Sequence, residues 1–193
     1  MEQFIEILGT AVGLVYLWLE YKASIYLWIA GIIMPAIYLF IYYNAGLYAD
    51  FGINIYYLVI ALYGWLAWRY NFSLRGKRRE SKELSISHIR QGVIIRLALL
   101  FLAAWAIISY ILIHYTNSTV PFTDAFTTAL SIVGMYMLAR KYIEQWWVWL
   151  VVDITSCALY IYKELYFTAA LYAVYAIIAI FGYRKWKKMM QHE

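Results

Sequence analysis

The stretch EQWWVWLVVDITSCALYIYKELYFTAALYAVYAIIAIFGYRKW, residues 144–186, holds two apolar runs separated by a short polar step at Lys163-Glu164 and closed by a basic tail. Each run is near the ~20 residues a helix needs to cross a bilayer. Neither is bounded by the turn signals of short alternating strands, so both read as helices rather than as barrel strands. Midway along the first run stands one carboxylate, Asp153. An acid at that depth costs about 2.5–3.5 kcal/mol on insertion scales; it normally faces a cavity or a partner and marks function.

The rest of the chain follows the same pattern. Of 193 residues, 65% are hydrophobic and 14% charged, against about 45–50% and about 25% in soluble domains. A chain this short lacks the interior to hide so much apolar surface. Seven stretches qualify as spans: 4–21, 24–43, 47–68, 93–114, 121–139, 144–162 and 165–183. The first does not resemble a cleavable signal, because it carries Glu2 and Glu6 and lacks a basic start. The expected fold is an all-α integral membrane protein. One cysteine, Cys157, excludes an internal disulfide framework, and His88, His114 and His192 are far apart; no metal site and no cofactor are expected.

Basic residues orient the spans. Lys22, the run Arg69 to Arg90, Arg140-Lys141 and Arg184 to Lys188 all fall on one side of a seven-span arrangement, and Lys163 is the exception. The positive-inside rule puts the C-terminus in the cytoplasm and the N-terminus outside. A multi-pass location in a cell membrane is expected; the resemblance described below implies the bacterial inner membrane. The basic run at 75–82 is accounted for by topology, so no nucleic-acid partner is expected.

A shift of 118 residues lays the second half over the first: Trp28 on Trp146, Tyr42 on Tyr160, Tyr57 on Tyr175, Gly64 on Gly182 and Trp68 on Trp186. Helices one and five align less clearly, and a small gap is expected there. The organisation expected is a first three-helix repeat at 1–69, a basic loop and linker helix at 70–115, and a second repeat with a basic tail at 116–193. A single linker span makes the repeat parallel. Transporters built that way hold substrate near the midplane between the halves.

The repeat keeps its frame and changes its chemistry at Asp153, whose counterpart is Pro35. Trp146, Trp149, Asp153, Ser156 and Tyr160 recur at helical spacing on one face. Asn54, Tyr57, Ala61, Trp65 and Trp68 form a second stripe. Tyr172 and Tyr175 add to these, with Asp124, Thr127, Thr128 and Ser131 from the fifth span. Trp28, Trp146 and Trp186, near span ends, read as an interfacial aromatic belt; Trp65 and Trp149 read as walls of a site, and Trp68 fits either. Glu20, Glu144 and Glu164 read as snorkelling or loop-paired acids, and Asp50 is ambiguous. Aromatic walls with one acid suit a small, flat, cationic heterocycle, since each ring face adds about 0.5–2 kcal/mol of cation–π attraction.

These features, with INIYYLVIALYGWLAWRY (53–70) and the pair Trp65-x-x-Trp68, resemble the PnuC family of bacterial vitamin-precursor transporters. The resemblance covers nearly the whole chain. It implies two parallel three-helix repeats joined by a linker helix, as in SWEET sugar transporters. It also implies a homotrimer in the lipid bilayer and facilitated diffusion of an unphosphorylated precursor, which a cytoplasmic kinase then traps. Contacts carried over by motif are Asn54, Tyr57, Trp65, Trp68, Trp149 and Asp153; Tyr160 and Tyr175 join them from their faces. Family members that take nicotinamide riboside tend to have asparagine where this chain has Asp153. A carboxylate better suits the aminopyrimidine or thiazolium of thiamine, so thiamine is the expected substrate and nicotinamide riboside the alternative. A substrate-binding subunit of an ATP-driven vitamin importer is a further alternative. An enzyme is not expected, because Asp153 has no evident acid, base or nucleophile beside it.

Overall fold

The computed structural model describes residues 2–45, 48–70 and 84–191. The basic run at 75–82, His192 and the side chain of Asp50 lie outside what is described. Among the described residues seven α-helices follow one another: α1 Glu2–Tyr21, α2 Leu27–Ala45, α3 Tyr48–Tyr70, α4 Gln91–Tyr115, α5 Pro121–Ala139, α6 Gln145–Tyr162 and α7 Tyr166–Met190. Over the described residues α4, α5 and α7 are long and apolar enough to cross a membrane, and α1 and α2 carry shorter apolar stretches, Val12–Tyr21 and Leu27–Ile37. Tyrosines, tryptophans and an asparagine or aspartate make α3 and α6 less apolar.

The chain divides into two compact units, Met1–Ser85 and Ile86–Glu193. In the first, α2 packs on α3 and α1 on α2; in the second, α6 packs on α7, α4 on α5 and α5 on α6. Helix α4 thus keeps company with the second unit. It buries only Leu97 and Ser109 and exposes Ile94, Ile95, Leu99, Leu102 and Ile107, the distribution of a helix bathed in lipid. Its inner side packs Leu97 on Val133 and Met137 of α5.

Each unit is built around the same wedge. In the first, a Cβ on Gly64 would come within 2.4 Å of the Trp28 ring; in the second, a Cβ on Gly182 would come within 2.6 Å of Trp146. The missing side chain opens a slot, and the indole fills it. Trp68 then meets Trp28 edge-on at 5.5 Å between ring centroids, and Trp186 meets Trp146 edge-on at 5.6 Å. The belt reading of Trp28, Trp146 and Trp186 is therefore corrected: all three are fully enclosed rings at the centre of helix packing. Burial of an aromatic in a fitted slot yields far more than an interfacial seat.

The loops repeat as closely. After α1, Ala23 has φ 49°, and after α5, Lys141 has φ 50°. Ser24 N–H donates to Leu19 C=O at 2.9 Å and Ala23 N–H to Glu20 C=O at 2.9 Å; Tyr142 N–H donates to Met137 C=O at 3.0 Å and Lys141 N–H to Leu138 C=O at 2.9 Å. Both are Schellman closures, which satisfy the carbonyls left over at a helix end. The register of 118 residues thus holds at the ends of α1 and α5, and the small gap expected there is not needed.

Candidate functional site

Helix α6 carries the chemistry of the second unit. Its first turn is set by Glu144, whose carboxylate accepts from the Ile89 backbone N–H at 3.0 Å and pairs with His88 Nδ1 at 2.7 Å. A backbone bridge between Ser87 and Tyr142 runs alongside. Glu144 is thus a loop-paired acid, one of the two roles expected for it. The far end of α6 closes over Glu164, at φ 60°, where Leu165 N–H donates to Tyr160 C=O at 2.8 Å.

Between these ends lies Asp153, 7% exposed. Tyr172 and Tyr175 of α7 lie within electrostatic reach of its carboxylate. Tyr160, two turns along α6, stacks on Tyr172 at 5.2 Å, and Tyr172 meets Tyr175 at 5.7 Å. Neither the His88–Glu144 pair nor the Lys163–Asp124 pair involves Asp153. The arrangement is an acid near two phenol rings, one of which stacks on a third, and it can offer a cation both a counter-charge and π-faces. Trp149, one turn before Asp153, lies along Gly134 of α5, where an added Cβ would come within 3.2 Å of its ring.

The structure therefore brings Asp153, Tyr160 and Tyr175 together, adds Tyr172, and sets Trp149 on the adjoining turn. Asn54, Tyr57, Trp65 and Trp68 belong to α3 in the first unit. Tyr57 is half-buried beside Tyr56, with ring centroids 5.7 Å apart. Trp65 meets Tyr70 edge-on at 6.1 Å, and Trp68 is enclosed against Trp28.

The hydroxyls of α5 do less than the sequence suggests. Thr127 donates to the Thr123 and Asp124 carbonyls, Thr128 to the Asp124 carbonyl at 2.8 Å, and Ser131 to the Thr127 carbonyl at 2.8 Å. Such back-bonding satisfies a hydroxyl on its own helix. Asp124 is held instead by Ser118 Oγ at 2.7 Å and by Lys163 Nζ at 3.5 Å.

One buried polar residue was misread, Glu20, and one was missed, Gln145. Glu20 is 2% exposed and lies within electrostatic reach of Tyr16, so it does not snorkel. Gln145 is wholly buried. Their counterparts at the 118-residue shift are Leu138 and Leu27, both fully buried leucines. A polar residue matched to a core leucine was the signal available.

Seven helices among the described residues, three of them long and apolar enough to cross a membrane, and a buried acid near aromatic rings fit a membrane protein of the small-molecule transport class. Residues 3–188 match the family model described as nicotinamide mononucleotide transporter. The chain is 25% identical over 203 residues to the nicotinamide riboside transporter PnuC of Escherichia coli K12, covering 95% of this chain and 84% of that one. It is 27% identical to the PnuC of Neisseria mucosa, covering 88% and 66%. It is 25% identical to the riboflavin/roseoflavin transporter RibM of Streptomyces davaonensis, covering 94% and 83%. A solved structure, the crystal structure of the vitamin B3 transporter PnuC, superposes with a TM-score of 0.67 at 22% identity, covering 95% of this chain and 80% of that one. The chain belongs to the PnuC family of vitamin-precursor membrane transporters.

Proposed function

We propose that this protein carries an unphosphorylated vitamin precursor with a flat cationic ring across the bacterial inner membrane by facilitated diffusion, with nicotinamide riboside as the leading substrate. The observation that carries the reading is the buried Asp153 near Tyr172 and Tyr175, with Tyr160 stacked on Tyr172, in a chain whose relatives include named nicotinamide riboside transporters. Thiamine, the substrate expected from the sequence, is not named for any of the relatives described above and moves to second place. It stays in view for one reason, the carboxylate of Asp153, which suits a thiazolium or an aminopyrimidine donor better than an amide would. Riboflavin, named for one relative, lacks a cationic ring and leaves that carboxylate without a counter-charge.

The paired wedges and paired helix closures, 118 residues apart, favour two parallel three-helix repeats joined by α4. The division at 1–69, 70–115 and 116–193, the cytoplasmic C-terminus and the trimer belong to the same proposal. Calorimetric titration of purified protein with nicotinamide riboside, thiamine, thiamine phosphate and riboflavin tests the substrate. Tightest binding of nicotinamide riboside is expected. Tightest binding of thiamine restores the charge-based reading, and tightest binding of riboflavin overturns the cationic-ring argument.

A further inference from the structure

Gln145 opens α6 with its side chain 0% exposed, and neither its Oε1 nor its Nε2 has a hydrogen-bond partner. One turn on, the Trp149 indole N–H is also buried and unpartnered. One turn further stands Asp153. The three follow at intervals of four residues, so they share a stripe along about 12 Å of helix axis. Buried amides in native proteins are nearly always satisfied, and one left unsatisfied calls for an explanation.

Packing alone does not supply one. The equivalent position in the first unit is Leu27, also 0% exposed. The same core site is filled by an apolar side chain of similar size in one repeat and by an amide in the other. The exchange runs in the same direction as Pro35 to Asp153, with both polar members on α6. Glu144, the neighbour of Gln145, is already committed to His88 and Ile89.

We infer that Gln145 is a specificity-determining residue of the transport site, whose amide, together with the Trp149 indole N–H, hydrogen-bonds a neutral hydroxyl of the substrate while Asp153 faces its cationic ring. This rests on the transport reading above. The amide can donate and accept, as a hydroxyl also can, and the indole can only donate. The separation along α6 suits a molecule with a charged flat end and a hydroxylated end. Nicotinamide riboside and thiamine both have that form.

The test uses full-length protein in detergent and in proteoliposomes, with Gln145→Leu, the residue of the first repeat, and Gln145→Met, which keeps the length without the polar atoms. Binding is titrated with nicotinamide riboside and with thiamine, and stability is read by ligand-free unfolding. At least tenfold weaker binding of whichever substrate the wild type takes is expected, with unfolding unchanged or shifted to higher temperature, because the replacement removes an unsatisfied amide. Wild-type affinity in either well-folded variant overturns the assignment and leaves the transport reading standing. Loss of stability in both variants also overturns it, since the amide is then structural. A wild type that binds neither compound sinks the cationic-ring reading and the assignment together.

Discussion

Substituting Gly182 by alanine tests the packing that holds α6 against α7. The new Cβ would stand 2.6 Å from carbons of the Trp146 ring, about 1 Å inside ordinary carbon–carbon contact. Trp146 cannot swing away easily, for it is 1% exposed and its ring is met edge-on by Trp186 at 5.6 Å. Overpacking of this kind costs about 1–3 kcal/mol, and loss of the aromatic pair adds about 0.5–1.5 kcal/mol where Trp146 is displaced. A total near 2–4 kcal/mol is therefore expected, read from the unfolding transition in mixed micelles. Trp146→Phe alone leaves a void and destabilises in its own right. Combined with Gly182→Ala it should lose less than the two single changes added, with a coupling of about 1–2 kcal/mol. The Trp28→Phe and Gly64→Ala pair in the first unit should behave alike, since its approach is 2.4 Å. An alanine at Gly182 that leaves stability untouched, or a double variant that is strictly additive, would falsify the wedge.

Asp153→Ala should abolish uptake into proteoliposomes while the protein still inserts and elutes as one species; normal uptake removes the acid from the mechanism. Asp153→Asn should weaken thiamine more than nicotinamide riboside, and titration showing equal changes for both removes the charge-based case for thiamine. Glu144→Ala should speed hydrogen exchange at the Ile89 amide, which loses a charge-assisted bond of about 1.5–3 kcal/mol; unchanged exchange there contradicts the observed pairing. Lys163→Ala should alter stability by no more than about 1 kcal/mol, because its 3.5 Å pair with Asp124 is partly exposed on both sides. A larger loss in the unfolding titration identifies that pair as structural.

The helices were legible because their signal is compositional: long apolar runs survive any detail of packing, and α2, α3, α6 and α7 stand close to where the runs lie. The 118-residue shift was legible in the Trp and Gly pairs for a related reason, since an indole in a glycine slot ties two residues together across helices. What could not be read was which way each ring faces. Trp28 and Trp146 sit near span ends, where an indole at the interface and an indole in a slot give the same local sequence. Only the approach of Gly64 and Gly182 separates the two cases. The α5 hydroxyls misled likewise, because helical spacing places Thr127, Thr128 and Ser131 on a face without revealing that each bonds its own backbone. Asp153 was found from isolation in an apolar run, whereas Glu20 and Gln145 lie near loops where polar residues are ordinary.

Under the proposed repeat, the positions that hold the protein together differ from those proposed to meet a substrate. Positions that set geometry are the same in both halves: indole, glycine and indole at the wedge, and a left-handed residue after α1 and after α5. Positions that set chemistry differ: proline against Asp153 and Leu27 against Gln145 in one direction, Glu20 against Leu138 in the other. A duplicated bundle selected only for stability would have no use for these exchanges, since each puts a polar group where its twin has a proline or a buried leucine. On the proposed function, Asp153 and Gln145 give α6 a substrate-facing side, and the wedge that α6 shares with α7 supplies the rigid support that a binding side chain needs to hold its position.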